Sequence, residues 1–109
     1  VNKTSERQVM LSQGEITALK KAIAYLKFEC EEVGSLIFCG SPLINSAFDK
    51  LIASSDIKGE DVFYNRKNPS AEKRMLKKLN EEFKYEGSGE VEQIEQLEHS
   101  EIYMHPFKV

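Results

Sequence analysis

The chain has 109 residues, 40% hydrophobic and 30% charged, with a net charge of −3. That length and balance suit one globular domain over residues 1–109 and exclude a disordered or low-complexity chain. No apolar run approaches the ~18 residues of a membrane span, the opening VNKTSERQ lacks a leader's apolar stretch, and two cysteines are too few for a disulfide framework; the expected setting is cytoplasmic, with no membrane.

Residues 1–5 read as a loose arm, and Arg7–Leu11 as a short strand leading into the first helix. The most regular stretch is Ser12–Val33. Its apolar residues Ile16, Leu19, Ile23, Leu26, Cys30 and Val33 recur at alternating steps of three and four, the spacing of a helix buried along one seam. Ser12 and Glu15 form an S-x-x-E capping box, Leu11 and Ile16 a hydrophobic staple, and Gly34 a stop. The spacing therefore predicts a helix over about 12–33. Of its two off-seam aromatics, Tyr25 and Phe28, the expectation is burial, because a globular helix buries a wider stripe than a strict seam.

The run SLIFC between Gly34 and Gly40 reads as a buried strand or connection. Ser41-Pro42 opens a second helix over about 42–54, with Ser as cap and Pro at a position whose N–H has no helical partner. Val62-Phe63-Tyr64 reads as a strand or extended loop. Asn68-Pro69-Ser70 starts a third helix over about 69–85, with inner face Met75, Leu76, Leu79 and Phe83, broken by Gly87-Ser88-Gly89. The segment 90–101 carries a narrow apolar stripe compatible with helix or strand. Pro106 makes Ile102–Val109 an edge strand or tail. The fold expected is α+β, helix-dominated, with three main helices and short strands or extended segments; the alternative is all-α.

Charge is segregated in the second half. Between Arg66 and Lys78 stand six basic residues, Arg66, Lys67, Lys73, Arg74, Lys77 and Lys78, against Glu72 alone. From Glu86 onward six acids face one base, Lys108. The basic stretch is either a phosphate-facing helix over 66–84 or the solvated side of an amphipathic one. The acidic stretch either docks a basic partner or neutralises the basic helix within the chain.

No catalytic motif is present, and Cys30, Cys39, His99 and His105 lack the close spacing of a zinc site. No metal or cofactor is expected. Cys39 lies just before a helix start, the one placement that favours a reactive thiolate, but no cysteine-enzyme signature surrounds it. Paired carboxylates such as Glu31-Glu32 and Glu81-Glu82 are solvated charges without a pocket to shift them. The expectation is a small non-enzymatic protein that occludes a basic partner surface, in the manner of an inhibitor, an immunity or antitoxin protein, or an adaptor. Its docking edge would be Glu92, Glu95, Glu98 and Glu101, anchored by Tyr103 and Phe107. The alternative is nucleic-acid binding through Arg66, Lys67, Lys73, Arg74, Lys77 and Lys78. Pairing of two copies through helix 12–33 is a further option.

Overall fold

The computed structural model describes residues 5–85 and 100–108. Among these residues the protein is helical, with no strand. The all-α alternative replaces the α+β expectation. The only β-type pairing among the described residues is an isolated parallel bridge between Lys67 and Lys108.

Helix α1 spans Gln13–Ala24. Its start is locally determined: the Glu15 N–H donates to Ser12 Oγ at 3.1 Å, and the Ser12 N–H donates to Glu15 Oε1 at 2.9 Å. These bonds satisfy two backbone donors that would otherwise lack partners. The helix then widens into a π-turn, Tyr25–Glu29, closed by Cys30 N–H donating to Tyr25 O at 2.8 Å. The expected run to Val33 is thus cut short at Glu29.

The π-turn inserts one residue into the helical repeat and rotates everything after it. Lys27 and Phe28 therefore face inward. Upstream, Ile16 is buried as expected, whereas its seam partner Leu19 is 44% exposed. Tyr25 stays in water at 54%, against the expectation of burial.

A 3-10 turn, Val33–Ser35, leads into the short helix α2, Leu36–Cys39. This is the run read above as a strand. Helical spacing places Leu36 and Cys39 on the core side and leaves Ile37 and Phe38 outside. A run of four apolar residues has no period of its own, so tertiary packing chose the helix. Helix α3, Pro42–Ser54, starts as read, with Ile44 N–H donating to Ser41 Oγ at 3.2 Å. It runs antiparallel to α1, because Gln13 at the start of α1 bonds the end of α3: its Nε2 donates to Ser54 O at 3.0 Å and its Oε1 accepts from Asp56 N–H at 3.0 Å.

Val62-Phe63-Tyr64 belongs to a single helical turn, α4, Glu60–Tyr64, rather than to a strand. Gly59 precedes it at φ 86°, a conformation that favours glycine. Helix α5 spans Pro69–Tyr85 and is capped by Asn68, whose Oδ1 accepts from Ala71 N–H at 3.2 Å. Its buried face is Ala71, Met75, Lys78 and Leu79; Leu76 is only partly buried, and the Phe83 side chain lies outside those described.

Helix α6, Ser100–Met104, is followed by a cis His105–Pro106 bond and a turn held by Phe107 N–H donating to Met104 O at 2.8 Å. The expected edge strand is therefore a helix and a turn. The segment 90–99 lies outside the described residues.

The core joins Phe28, Cys39, Phe48, Ala71, Met75, Leu79, Met104 and Phe107. Phe107 is its hub. Its ring meets Phe28 at 4.8 Å, Tyr64 at 5.0 Å and Phe63 at 5.7 Å, all in edge-on or tilted geometry. Gly40 admits the Tyr103 ring so closely that a Cβ there would stand 2.8 Å from it.

Candidate functional site: an apolar face between two helices

The basic residues of α5 divide into two sets. Arg74 and Lys78, one turn apart, reach across to the end of the first helix. Arg74 Nε donates to Phe28 O at 2.7 Å, and Lys78 Nζ lies 3.3 Å from Leu26 O and 3.5 Å from Lys27 O. The carbonyls in the last turn of a helix have no helical donors, and the negative end of the helix dipole attracts cations. Arg74 and Lys78 therefore cap the π-turn. Lys78 is fully buried, with a further bond to Ser35 Oγ at 2.9 Å. Lys78, fully buried, is thereby withdrawn from the face expected to meet a phosphate backbone, whereas Arg74 commits only its Nε and also lines the open groove beside Lys73 and Lys77.

Arg66, Lys67, Lys73 and Lys77 remain exposed. Arg66 lies over the Phe63 ring at 4.5 Å. Lys73 and Lys77 share an open groove with Glu29, Glu31 and Glu81. Lys77 and Glu31 stand 4.0 Å apart, both largely in water, a pairing that contributes little. The groove is thus of mixed sign rather than a basic track.

Lys27 and Cys39 make a polar knot inside the core. Lys27 Nζ donates to Asn45 Oδ1 and lies 3.3 Å from both Cys39 O and Ile102 O. Asn45 Nδ2 also donates to Ile102 O at 2.9 Å, so the knot ties the first helix to α2, α3 and α6. All of these acceptors are neutral. Burial pushes the Lys27 ammonium down to about 8; Cys39 and Asp49 oppose the shift and Lys78 adds to it.

The Cys39 sulfur is fully buried, 3.4 Å from Leu26 O and 3.4 Å from Lys78 Nζ. A thiol with no exposed surface offers a substrate no path of attack, which removes the main sequence argument for a reactive Cys39. Among the described residues no group of three His, Cys, Asp or Glu side chains is placed to hold a metal. His99 lies outside the described residues, and His105 Nε2 sits 2.7 Å from Asp49 Oδ1.

The edge expected to bind a partner is only partly described. Glu92, Glu95 and Glu98 lie outside the described residues, and Glu101 is exposed. Phe107, expected as an exposed anchor, is a core residue with 6% of its surface accessible, and Tyr103 packs against the same core above Gly40. The reason is the turn after Met104, which folds the apolar end back onto α5 and the first helix instead of leaving it free.

Apolar surface is left in water at several places, among them Val62, Phe63 and Ile57 around α4, and in one groove. A groove of about 570 Å³ runs between α1 and α3, lined by Ile16, Leu19 and Ile23 from one helix and Ala47 and Leu51 from the other. Val9 and Leu11 of the arm edge it; the predicted strand at Arg7–Leu11 is absent, and Met10 is 96% exposed. Lys50 is the sole charged lining residue. Leu43, one turn before Ala47 on the same side of α3, is 82% exposed, and Ile37 across the Gly40–Pro42 corner is 73% exposed.

Sequence reasoning passed over this face, although a signal for it exists. No charged residue occurs between Glu32 and Asp49, in a chain that is 30% charged. Pattern reads SLIFC as buried, and pattern does not say which side of a short helix is covered. No single described helix is long and apolar enough to cross a membrane; Val33–Cys39 and Pro42–Ser54 reach the required length and composition only as a pair bent by 65°.

Comparison of the chain with protein-family models, with curated proteins and with solved structures finds no match.

Proposed function

We propose that this is a non-enzymatic protein-binding domain that docks a partner on the face formed by α1, α3 and the adjoining Gly40–Pro42 corner. The observation that carries the reading is an apolar groove lined by Val9, Leu11, Leu19, Ile23, Ala47 and Leu51, with Leu19 44% exposed and Leu43, one turn before Ala47, 82% exposed. Large apolar side chains gathered on one side of a small domain mark a docking surface, because each contributes favourably only when a partner covers it. The expectation of a basic partner surface is carried forward only through the exposed Glu101 and the acidic segment before it.

The test is capture by the tagged chain from the lysate of its source, with nuclease, beside Leu19→Asp and Leu43→Asp variants. The reading requires a stoichiometric protein that survives nuclease and is lost with at least one variant. An empty capture, or one indifferent to both variants, refutes it.

A second reading, nucleic-acid binding, is supported by the exposed cations Arg66, Lys67, Lys73 and Lys77. It is weakened by the carboxylates that share their groove and by the use of Arg74 and Lys78 as caps. Retention on heparin that falls steeply with salt, and falls again with Lys73→Glu, supports this second reading.

A further inference from the structure

We infer that the α1–α3 groove receives a single amphipathic helix whose apolar face carries a carboxylate positioned opposite Lys50. This rests on the protein-binding reading above and names the kind of partner. Three features of the groove converge on it.

The first is shape. The lining runs from Ile16 to Ile23 on α1 and from Ala47 to Ser54 on α3, so the antiparallel pair makes a channel about two turns, or roughly 10–12 Å, long. A channel between two parallel ridges of side chains is the surface into which a third helix packs.

The second is hydrogen bonding. The backbone groups of α1 and α3 within the channel are bonded inside their own helices. An extended peptide laid between them would bring N–H and C=O groups with no partners on either helix, whereas a helix brings its own bonds.

The third is chemistry and size. Leu19, Ile23, Ala47 and Leu51 present apolar surface, and Lys50 is the one charge among the lining residues. A docked face with residues at i, i+3 or i+4, and i+7 matches the apolar side chains, and a Glu or Asp beside it meets Lys50 as the surrounding water is displaced. Over two turns, two adjacent helices offer on the order of 200 Å². A stable pairing of two copies needs roughly four times that from each, so a second copy through this face alone is the poorer match.

The experiment is selection of a displayed random-peptide library on the 109-residue chain, followed by binding measurements with the enriched consensus peptide. The expected consensus has apolar residues at three-four spacing with a flanking Glu or Asp, and the peptide becomes helical by circular dichroism on binding. Leu19→Asp should weaken it about tenfold to a hundredfold, the equivalent of one buried leucine. Lys50→Glu should weaken it, and a peptide with Lys in place of its acid should recover binding to that variant alone. Leu19 and Lys50 are both exposed, and each variant's melting temperature is read alongside.

No enrichment, a consensus of alternating or proline-rich residues, or binding indifferent to Leu19→Asp overturns the inference. So does a wild-type chain that sediments as a dimer and becomes monomeric with Leu19→Asp, or one that floats with phosphatidylcholine vesicles through this face. A protein captured from lysate that is lost with Leu43→Asp but kept with Leu19→Asp also overturns it, while leaving the protein-binding reading in place.

Discussion

Lys27 sets the sign of the domain's response to pH. Its side chain has no exposed surface, its hydrogen-bond acceptors are all neutral, and burial lowers its pKa from 10.5 to about 8. Below pH 8 both folded and unfolded chains hold the proton, and the folded state bears the whole penalty of a buried charge. Between 8 and 10.5 the unfolded chain still binds the proton that the folded chain has released, so stability rises with pH. A shift of this size is worth about 3 kcal/mol in full, and about 2 kcal/mol of it is gained between roughly pH 7 and 9.5.

Urea denaturation of the wild type and of Lys27→Met, at constant ionic strength from pH 7 to 9.5, measures that rise directly. The wild type should gain about 2 kcal/mol relative to the variant over this range. The slope is the test rather than the absolute stability, because methionine leaves Asn45 Oδ1 without its donor, at a cost of about 1–3 kcal/mol at every pH. The difference between the two proteins also removes the contribution of other titrating groups they share. A wild type whose stability is flat or falls over this range, or a variant with the same slope, would falsify the reasoning. Higher pH should reverse the trend. Burial, with Glu60 beside Tyr64 and with Cys39 and Glu82 near Tyr103, holds both phenols above their usual value, so stability is lost as pH climbs past about 10.

Four further outcomes are expected. Phe107→Ala removes the ring that joins Phe28, Phe63 and Tyr64 and should cost about 3–5 kcal/mol by denaturant melting; a loss under 1 kcal/mol would mean that the chain end is not part of the core. Gly40→Ala forces a Cβ against the Tyr103 ring and should lower stability by about 1–3 kcal/mol, and Tyr103→Ala in the same background should relieve that specific clash, as a double-mutant cycle would show. Ser12→Ala loses the capping box at α1 and should cost about 1 kcal/mol, seen as a lower melting temperature with unchanged helical signal elsewhere. Arg74→Ala uncaps Phe28 O and should destabilise by about 1–3 kcal/mol while leaving heparin retention unchanged; a weakened heparin interaction at unchanged stability would return Arg74 to the nucleic-acid reading.

The helix starts were legible because they are local. Ser12 with Glu15, Ser41 with Pro42, and Asn68 before Pro69 each satisfy free backbone donors within a few residues, and no distant contact is needed to form them. The apolar spacing of α1 and α5 likewise marked them as helices. Their ends and their faces were not legible. The first helix stops at Glu29 rather than near Gly34 because Arg74 and Lys78, about fifty residues away in sequence, satisfy its last carbonyls after the π-turn. Once that turn rotates the register after Ala24, Lys27 fills a core position; upstream of it, Leu19 is left in water because no other described element covers that side of α1.

Short apolar runs were decided the same way. SLIFC, VFY and the chain end have no period long enough to separate helix from strand, so packing against Phe48, Met75 and Met104 selected helices and a turn. Hydrophobicity does not separate Phe107, read from the sequence as an exposed anchor, from Leu43. Phe107 is covered because the turn after Met104 returns it to the core, whereas Leu43 is bare because α3 meets α1 over only part of its apolar circumference. Sequence alone determined where this chain begins its helices and how its charge is distributed. Tertiary structure decided which apolar and which charged side chains those helices enclose, because burial depends on what the rest of the chain brings to each face.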